Sequence, residues 1–417
     1  MAYIEVIGGK HLHGELNIHG SKNAVLPILA ASVMHKGITK INYCPKISDV
    51  FSMIKLMESI GCNITWEGSS VIVDASNLSS NVVSETYVSA MRSSIILMGA
   101  LIAREHSVTI SYPGGCSIGK RPIDLHIKAM EKLQVYVDDN NETIICQTKE
   151  LVGTYIKFDF PSVGATENTI LAATMANGIT ILDNVAKEPE IIELCRFLNS
   201  MGANIVGAGT DQIKIQGVTS FHDVEYSLVS DRIVMGTYMT AVAGTGGDIT
   251  LRGRCCLENI AVVNILRRMG CRIGMGDDYI NICSYERPKA IDVLQTEPYP
   301  GFPTDMQSQF MSVLAIAKGN SLMVENIFES RYKNVEELRK MGANIYTNGK
   351  VALIMGVDSL NGADVNAYDL RGGAALVIAG LLAQNRSRIT GIEYIERGYE
   401  DISGDLLKLG ADIHYFS

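Results

Sequence analysis

The sequence predicts an α/β protein of two domains, each built from three copies of one β-α-β-α-β-β unit. A recurring helix-to-strand junction divides the chain into six similar lengths. The helices alternate between amphipathic and almost wholly apolar. The length points the same way: 417 residues exceed the roughly 250–300 at which one hydrophobic core stops growing, so six units make two cores.

The junction is an amphipathic run ending in Met or Leu, then Gly, a small residue and an alternating strand. Its first copy is Met57-Glu58-Ser59-Ile60-Gly61-Cys62-Asn63-Ile64. Leu198-Asn199-Ser200-Met201-Gly202-Ala203-Asn204-Ile205, Leu266-Arg267-Arg268-Met269-Gly270-Cys271-Arg272-Ile273, Leu338-Arg339-Lys340-Met341-Gly342-Ala343-Asn344-Ile345 and Leu406-Leu407-Lys408-Leu409-Gly410-Ala411-Asp412-Ile413 repeat it. Met130-Glu131-Lys132-Leu133-Gln134-Val135-Tyr136-Val137 is a weaker copy with Gln in the glycine place. Glycine directly after an amphipathic run predicts a helix ended by a left-handed residue. The alternation after it, as in Asn63-Ile64-Thr65-Trp66 or around Asn348-Gly349, predicts a β-hairpin.

Each unit carries a second, nearly continuous apolar helical run followed by a strand: residues 24–33 before Gly37-Ile38-Thr39, 168–175 before Gly178-Ile179-Thr180, 233–243 before Gly247-Asp248-Ile249, and 374–383 before Arg388-Ile389-Thr390. A helix apolar all round belongs inside a core, whereas an amphipathic one covers a sheet. The first apolar helix begins near Ser21 and the fourth near Ser230. The first domain is therefore expected at 21–229 and the second, discontinuous one at 1–20 plus 230–417. The N-terminal strand pair would complete the last unit, the chain would cross twice between domains, and the helix ends would face a cleft between them.

Composition removes several classes of function. Thirty-six Lys and Arg against 45 Asp and Glu give a net charge of −9, which disfavours non-specific nucleic-acid binding. At 47% hydrophobic and 19% charged residues the chain has enough apolar surface to fold. Its longest apolar stretches, 95–103 and 374–383, fall well short of the ~20 residues that span a bilayer, and no secretory signal opens the chain. Nine cysteines lack CxxC spacing, so neither a disulfide framework nor a metal site is expected. A cytoplasmic protein without membrane or nucleic-acid partners is the expectation.

The heads of the apolar helices are polar: Ser21-Lys22-Asn23-Ala24, Ser89-Ala90-Met91-Arg92, Ser162-Val163-Gly164-Ala165, Ser230-Asp231-Arg232, Thr304-Asp305-Met306-Gln307 and Asp369-Leu370-Arg371-Gly372. Ser, Thr and Asp there read as N-caps. Lys22, Arg92, Arg232 and Arg371 do not, because a cation opposes the helix dipole at that end. Repeated cations at one structural position predict a shared anionic ligand. Arg121, Arg331 and Arg397 precede the amphipathic helices in the same manner, with Asp49 at the equivalent place in the first unit. Lys22, Arg92, Arg121, Arg331, Arg371 and Arg397 together would trap a substrate bearing phosphate and carboxylate.

The loop Tyr112-Pro113-Gly114-Gly115-Cys116-Ser117-Ile118-Gly119-Lys120-Arg121-Pro122 surrounds one thiol with glycines and cations, the composition of a lid with an activated cysteine. The remaining cysteines fall in apolar or strand-like stretches, as inert packing groups. Asp305 heads an apolar helix, where it reads either as a cap or as a general base facing the cations. The eight histidines show no ligand spacing.

Together, Ser21-Lys22-Asn23-Ala24, the Pro113–Gly119 loop with Arg121-Pro122-Ile123-Asp124, Ser162-Val163-Gly164-Ala165-Thr166-Glu167-Asn168, Asp369-Leu370-Arg371 and Arg397-Gly398-Tyr399-Glu400 resemble the UDP-N-acetylglucosamine 1-carboxyvinyltransferase family of enolpyruvyl transferases, along essentially the whole chain. The resemblance implies a two-domain inside-out α/β barrel with the active site in the cleft. It implies transfer of the enolpyruvyl group of phosphoenolpyruvate to the sugar 3-hydroxyl, the first committed step of peptidoglycan precursor synthesis, with no cofactor and no metal. By this likeness Cys116 is the general acid, Asp305 the base, and Lys22 catalytic. Lys22, Asn23, Arg121, Arg331, Arg371 and Arg397 hold phosphoenolpyruvate. Arg92, Arg121, Pro122, Ile123, Asp124, Leu125, Ser162, Val163, Gly164, Asp305 and Ile327 contact the UDP-sugar. The chain departs from the family's common pattern at Phe160, where some relatives carry Lys, and at Ser117 and Lys120, where Ala is common. The alternatives are 3-phosphoshikimate as acceptor, which the Cys116 loop disfavours, and a non-catalytic UDP-sugar-binding regulator, which intact Lys22, Cys116, Asp305 and Arg397 disfavour.

Overall fold

The structure, a computed structural model, describes residues 2–83, 91–112, 114, 123–140 and 142–417. These divide into two compact units, one comprising Met1–His19 with Ser230–Ser417 and the other the described part of residues 20–229. Each has its own core: one cluster of buried apolar side chains runs from Val25 to Leu228, and the other joins Ile4, Val6, Leu12, Leu16 and Ile18 to residues between Ile233 and Ile413.

Six four-stranded sheets share one plan among the described residues. In the first, Val224–Ser227 lies parallel to Ile38–Asn42, which pairs antiparallel with Ser70–Asp74, and Asn63–Glu67 completes the hairpin. The parallel strand always comes from a neighbouring repeat, so three repeats close on each other. In the 20–229 unit Val82–Val83 joins Ser107–Ser111, Tyr155–Lys157 joins Ile179–Asp183, and Val224–Ser227 returns to the first sheet. In the other unit Val293–Gln295 joins Asn320–Val324, Asp364–Asn366 joins Arg386–Thr390, and Leu12–Asn17 joins Gly247–Arg252.

This closure refines the expectation for the N-terminus. Only Tyr3–Ile7 completes the last repeat, between Arg386–Thr390 and Asp412–Phe416. Leu12–Asn17 instead opens the fourth repeat. The reason is the unit itself: its hairpin needs a final strand that the C-terminus does not supply, and the next sheet needs a parallel one. At the second contact Leu12 approaches so closely that a Cβ on Gly247 would lie 1.9 Å from the Leu12 carbonyl oxygen, and Gly247 has φ +120°, so glycine is required there.

The apolar helices are interior. All of Lys22–Ser32 but Asn23 is buried, as are Arg232–Thr245 up to Ala243 and Leu370–Leu382 up to Leu381. The amphipathic helices bury one stripe only; Ile260–Arg268 buries Val262, Val263 and Leu266. Helices inside and sheets outside make each unit an inside-out α/β barrel. The left-handed helix ends recur in all six repeats: Gly61, Gln134, Gly202, Gly270, Gly342 and Gly410 have φ between 68° and 111°. The repeat geometry therefore persists at Gln134, where its residue signature has been lost.

Candidate active site

Four helix heads are capped as the side-chain pattern predicts, whereas at the head near residue 304 neither Thr304 nor Asp305 caps a helix, the Thr304 hydroxyl going to Glu325 instead, and Ser89 lies outside the described residues. Ser21 and Ser162 accept from the backbone N–H of Ala24 and Ala165, each at 3.4 Å. Asp231 accepts from Ile233 and Val234 at 2.9 and 3.0 Å, and Asp369 from Arg371 and Gly372 at 3.0 and 2.8 Å. The caps each meet one or two first-turn N–H groups, and the cations beside them take no part in capping.

In the 20–229 unit Lys22 begins its helix beside Ser21 and is buried, its Nζ 2.8 Å from Asp49 Oδ2, itself buried at the start of Ser48–Ser59. The carboxylate offsets the cost of burying the ammonium and fixes its position. Asn23 follows Lys22, and Arg92 opens the 3-10 turn Arg92–Ile96; both are half-buried. Ile123 is buried at the head of Asp124–Lys132, Asp124 is exposed, and Leu125 packs on the core. His126 joins this helix to Val163–Ala173: its Nδ1 lies 2.8 Å from Asn168 Nδ2, and a Cβ on Gly164 would sit 3.2 Å from its ring. The segments 123–125 and 162–164 therefore lie at one place. Phe160, just before them, is exposed.

The other unit gathers Asp305, Arg331 and Arg371. Asp305 lies in the 3-10 turn Thr304–Met306 and caps no helix. Its Oδ1 accepts from Arg331 Nη2 at 2.7 Å and its Oδ2 from Arg371 Nη2 at 3.1 Å. Arg331 and Arg371 are each 3% exposed. Burial opposes the charge on Arg371, but Asp305, Tyr399 and Asp231 outweigh it and hold the guanidinium above its ordinary pKa. Among the described residues Arg331 Nε, Arg331 Nη1 and Arg371 Nη1 are buried without a hydrogen-bond partner. Each such group costs ~1–3 kcal/mol, and a phosphate or carboxylate would satisfy them together. Arg397 is half-buried in the turn after Ile392–Ile395, and Ile327, half-buried, donates its N–H to Glu325 at 2.9 Å.

Cys116, Arg121 and Pro122, with Ser117 and Lys120, lie outside the described residues. Of the other thiols, Cys44, Cys62, Cys146, Cys195, Cys255, Cys256 and Cys271 are buried as expected, and Cys283 is half-buried. Desolvation pushes Cys62, Cys146 and Cys195 up to about 12, which removes them as nucleophiles or acids near neutrality.

Three participants carried no residue-pattern signal strong enough to single them out. Tyr399, fully buried, places its ring 5.9 Å from the Arg371 guanidinium; its place two residues after Arg397 was the available clue. Asn334 is buried with both side-chain polar atoms unpartnered, against Gly372 beside Arg371. Glu325 is buried at the end of Asn320–Val324, and nothing in its sequence neighbourhood marks it.

A profile of the family described as EPSP synthase (3-phosphoshikimate 1-carboxyvinyltransferase) matches residues 6–406. UDP-N-acetylglucosamine 1-carboxyvinyltransferase 2 of Caldanaerobacter subterraneus subsp. tengcongensis is 50% identical over 413 residues, covering 99% of each chain. The enzyme of that name from Clostridium botulinum is 44% identical over 415 residues, again 99% of each. Among solved structures, the enolpyruvyl transferase NikO from Streptomyces tendae superposes with a TM-score of 0.89 at 22% identity, over 99% of this chain and 98% of that one. An EPSP synthase from Acinetobacter baumannii gives 0.76 at 18% identity over the whole of both chains. These two likenesses concern the fold.

Proposed function

The chain belongs to the EPSP synthase family of enolpyruvyl transferases, and from that premise we propose that it transfers the enolpyruvyl group of phosphoenolpyruvate to the 3-hydroxyl of UDP-N-acetylglucosamine. Phosphate is released, and the reaction commits the sugar to peptidoglycan precursor synthesis in the cytoplasm. The observation that carries the reading in this chain is the Asp305 carboxylate held by two buried arginines, of which Arg331 Nε and Nη1 and Arg371 Nη1 lack partners among the described residues. The full-length relatives at 44–50% identity support the choice of acceptor.

In this reading the work divides by chemistry. Lys22, Asn23, Arg121, Arg331, Arg371 and Arg397 bind the phosphate and carboxylate of phosphoenolpyruvate, where fixed cations act most strongly in a site that excludes water. Arg92, Ile123, Asp124, Leu125, Ser162, Val163, Gly164 and Ile327 contact the UDP-sugar with Arg121 and Pro122. The Cys116 thiol gives its proton to the methylene carbon, leaving the adjacent carbon electron-poor. The sugar 3-oxygen bonds to that carbon while its proton passes to the Asp305 carboxylate. The product of addition is a tetrahedral ketal. The Cys116 thiolate then takes a proton back from the methyl group while phosphate departs with the proton held by Asp305, which restores the double bond as an enol ether and both side chains to their starting state.

The experiment is phosphate release from phosphoenolpyruvate with UDP-N-acetylglucosamine, with shikimate 3-phosphate, or with neither. Release with the UDP-sugar alone is expected, and a Cys116→Ser variant should lose about 10²–10⁴-fold in kcat, the range of a general acid. Release with shikimate 3-phosphate instead would reject the acceptor, and full turnover after alkylation of Cys116 would reject the acid.

A further inference from the structure

We propose that Glu325 is a positioning residue for this reaction, acting through Asp305 and Arg331; the proposal rests on the function just given. Glu325 is 1% exposed, and every neighbour recorded at its carboxylate is an uncharged donor. Oε1 accepts from Thr296 Oγ1 at 3.0 Å, Thr304 Oγ1 at 3.0 Å, and the N–H groups of Ile327 and Phe328 at 2.9 and 3.0 Å. Oε2 accepts from Thr304 Oγ1 at 2.9 Å. One carboxylate therefore ties three segments: the end of Val293–Gln295, the turn Thr304–Met306, and the loop after Asn320–Val324.

Two of these segments carry the reacting cluster. Thr304 is adjacent to Asp305, and Phe328 leads to Arg331, whose guanidinium lies 5.2 Å from the Phe328 ring. The 2.7 Å contact between Asp305 and Arg331 thus has its two backbone carriers joined at Glu325. The clamp continues outward, for the Asn326 N–H donates to Thr296 Oγ1 at 2.9 Å and its side chain to the Thr296 carbonyl at 3.1 Å. A buried anion is costly without full hydrogen bonding. An amide of the same shape keeps an acceptor at the Oε1 place but removes the charge that strengthens its four hydrogen bonds, and forces the Thr304 hydroxyl to accept where it now donates. The charge is retained where it holds the base and its arginine in register, and displacement of a reacting group by about 1 Å costs up to ~10²-fold.

The test is Glu325→Gln, alone and with Asp305→Asn, beside the exposed control Glu329→Gln. In the purified full-length protein, Glu325→Gln is expected to lower kcat by about 10–100-fold, and to add less than about 2-fold in the Asp305→Asn background, because the two act on one group. Glu329→Gln should match wild type. Equal losses in both backgrounds would mean that Glu325 does not act through Asp305 and would overturn the proposal. A crystal structure of Glu325→Gln gives a readout independent of turnover. The Asp305–Arg331 contact should open, with 327–331 displaced; if that contact stays at hydrogen-bond length the proposal fails, whatever substrate the wild-type enzyme accepts. Wild-type inactivity toward the UDP-sugar would reject the acceptor alone.

Discussion

A buried arginine is always charged, so its neighbours decide what it does. Arg104 is spent on structure: its Nη1 donates to the carbonyls of Val33 and Ala75 at 2.7 Å each. Among the described residues Arg331 and Arg371 keep N–H groups without partners, the groups that the proposed reading gives to phosphoenolpyruvate. The same contrast sorts the thiols. Burial holds Cys62, Cys146 and Cys195 at about 12, so the thiolate that alkylating agents need is scarce and rises only as pH climbs toward that value. We expect iodoacetamide at pH 8 to leave these three unmodified in native protein and to label them fully in guanidinium, read by peptide mass spectrometry. Native labelling at the unfolded rate would contradict their burial.

At the scale of one element, the helix-to-strand junction shows how far geometry outlasts sequence. Five repeats use glycine for the left-handed residue, while Gln134 adopts φ 68° with a Cβ in place. The left-handed region costs a residue other than glycine roughly 1–2 kcal/mol, part of which a glycine returns through the greater entropy of its unfolded chain. Gln134→Gly is therefore expected to stabilise the protein by about 0.5–1 kcal/mol, measured as a higher midpoint in urea with an unchanged slope. A lower midpoint would show that the Gln134 side chain contributes more than its backbone strain removes. The weak copy was legible as a junction because Leu133 and Val135 keep the apolar rhythm around it. Its missing glycine said nothing about whether the turn was conserved in shape.

For the whole molecule the ends of the chain matter most. Tyr3–Ile7 is an interior strand of the last sheet, paired on both sides, and Leu12–Asn17 pairs along six residues with Gly247–Arg252. Deleting residues 1–18 should therefore loosen the unit formed by 230–417 and leave 20–229 protected. Hydrogen exchange followed by mass spectrometry would locate the change; equal deprotection of both units would refute the assignment. The repeat count, the two kinds of helix and the capping residues were readable in the chain, because each follows from local periodicity and backbone preference. Of the N-terminal strands, Tyr3–Ile7 was readable as completing the last repeat, but Leu12–Asn17 was not readable as opening the fourth, since a parallel partner more than 200 residues away leaves no local trace.

The sequence by itself determined six repeats, their interior and exterior helices, and a set of cations at helix heads, because apolar period and capping chemistry are written within a few residues. Only the tertiary structure decided that Asp305 is shared by Arg331 and Arg371 rather than capping its helix, that Lys22 rests on Asp49, and that Glu325 clamps three segments. Those are matches of charge and hydrogen bonding between residues distant along the chain, and no single segment encodes which partner a buried polar group will meet.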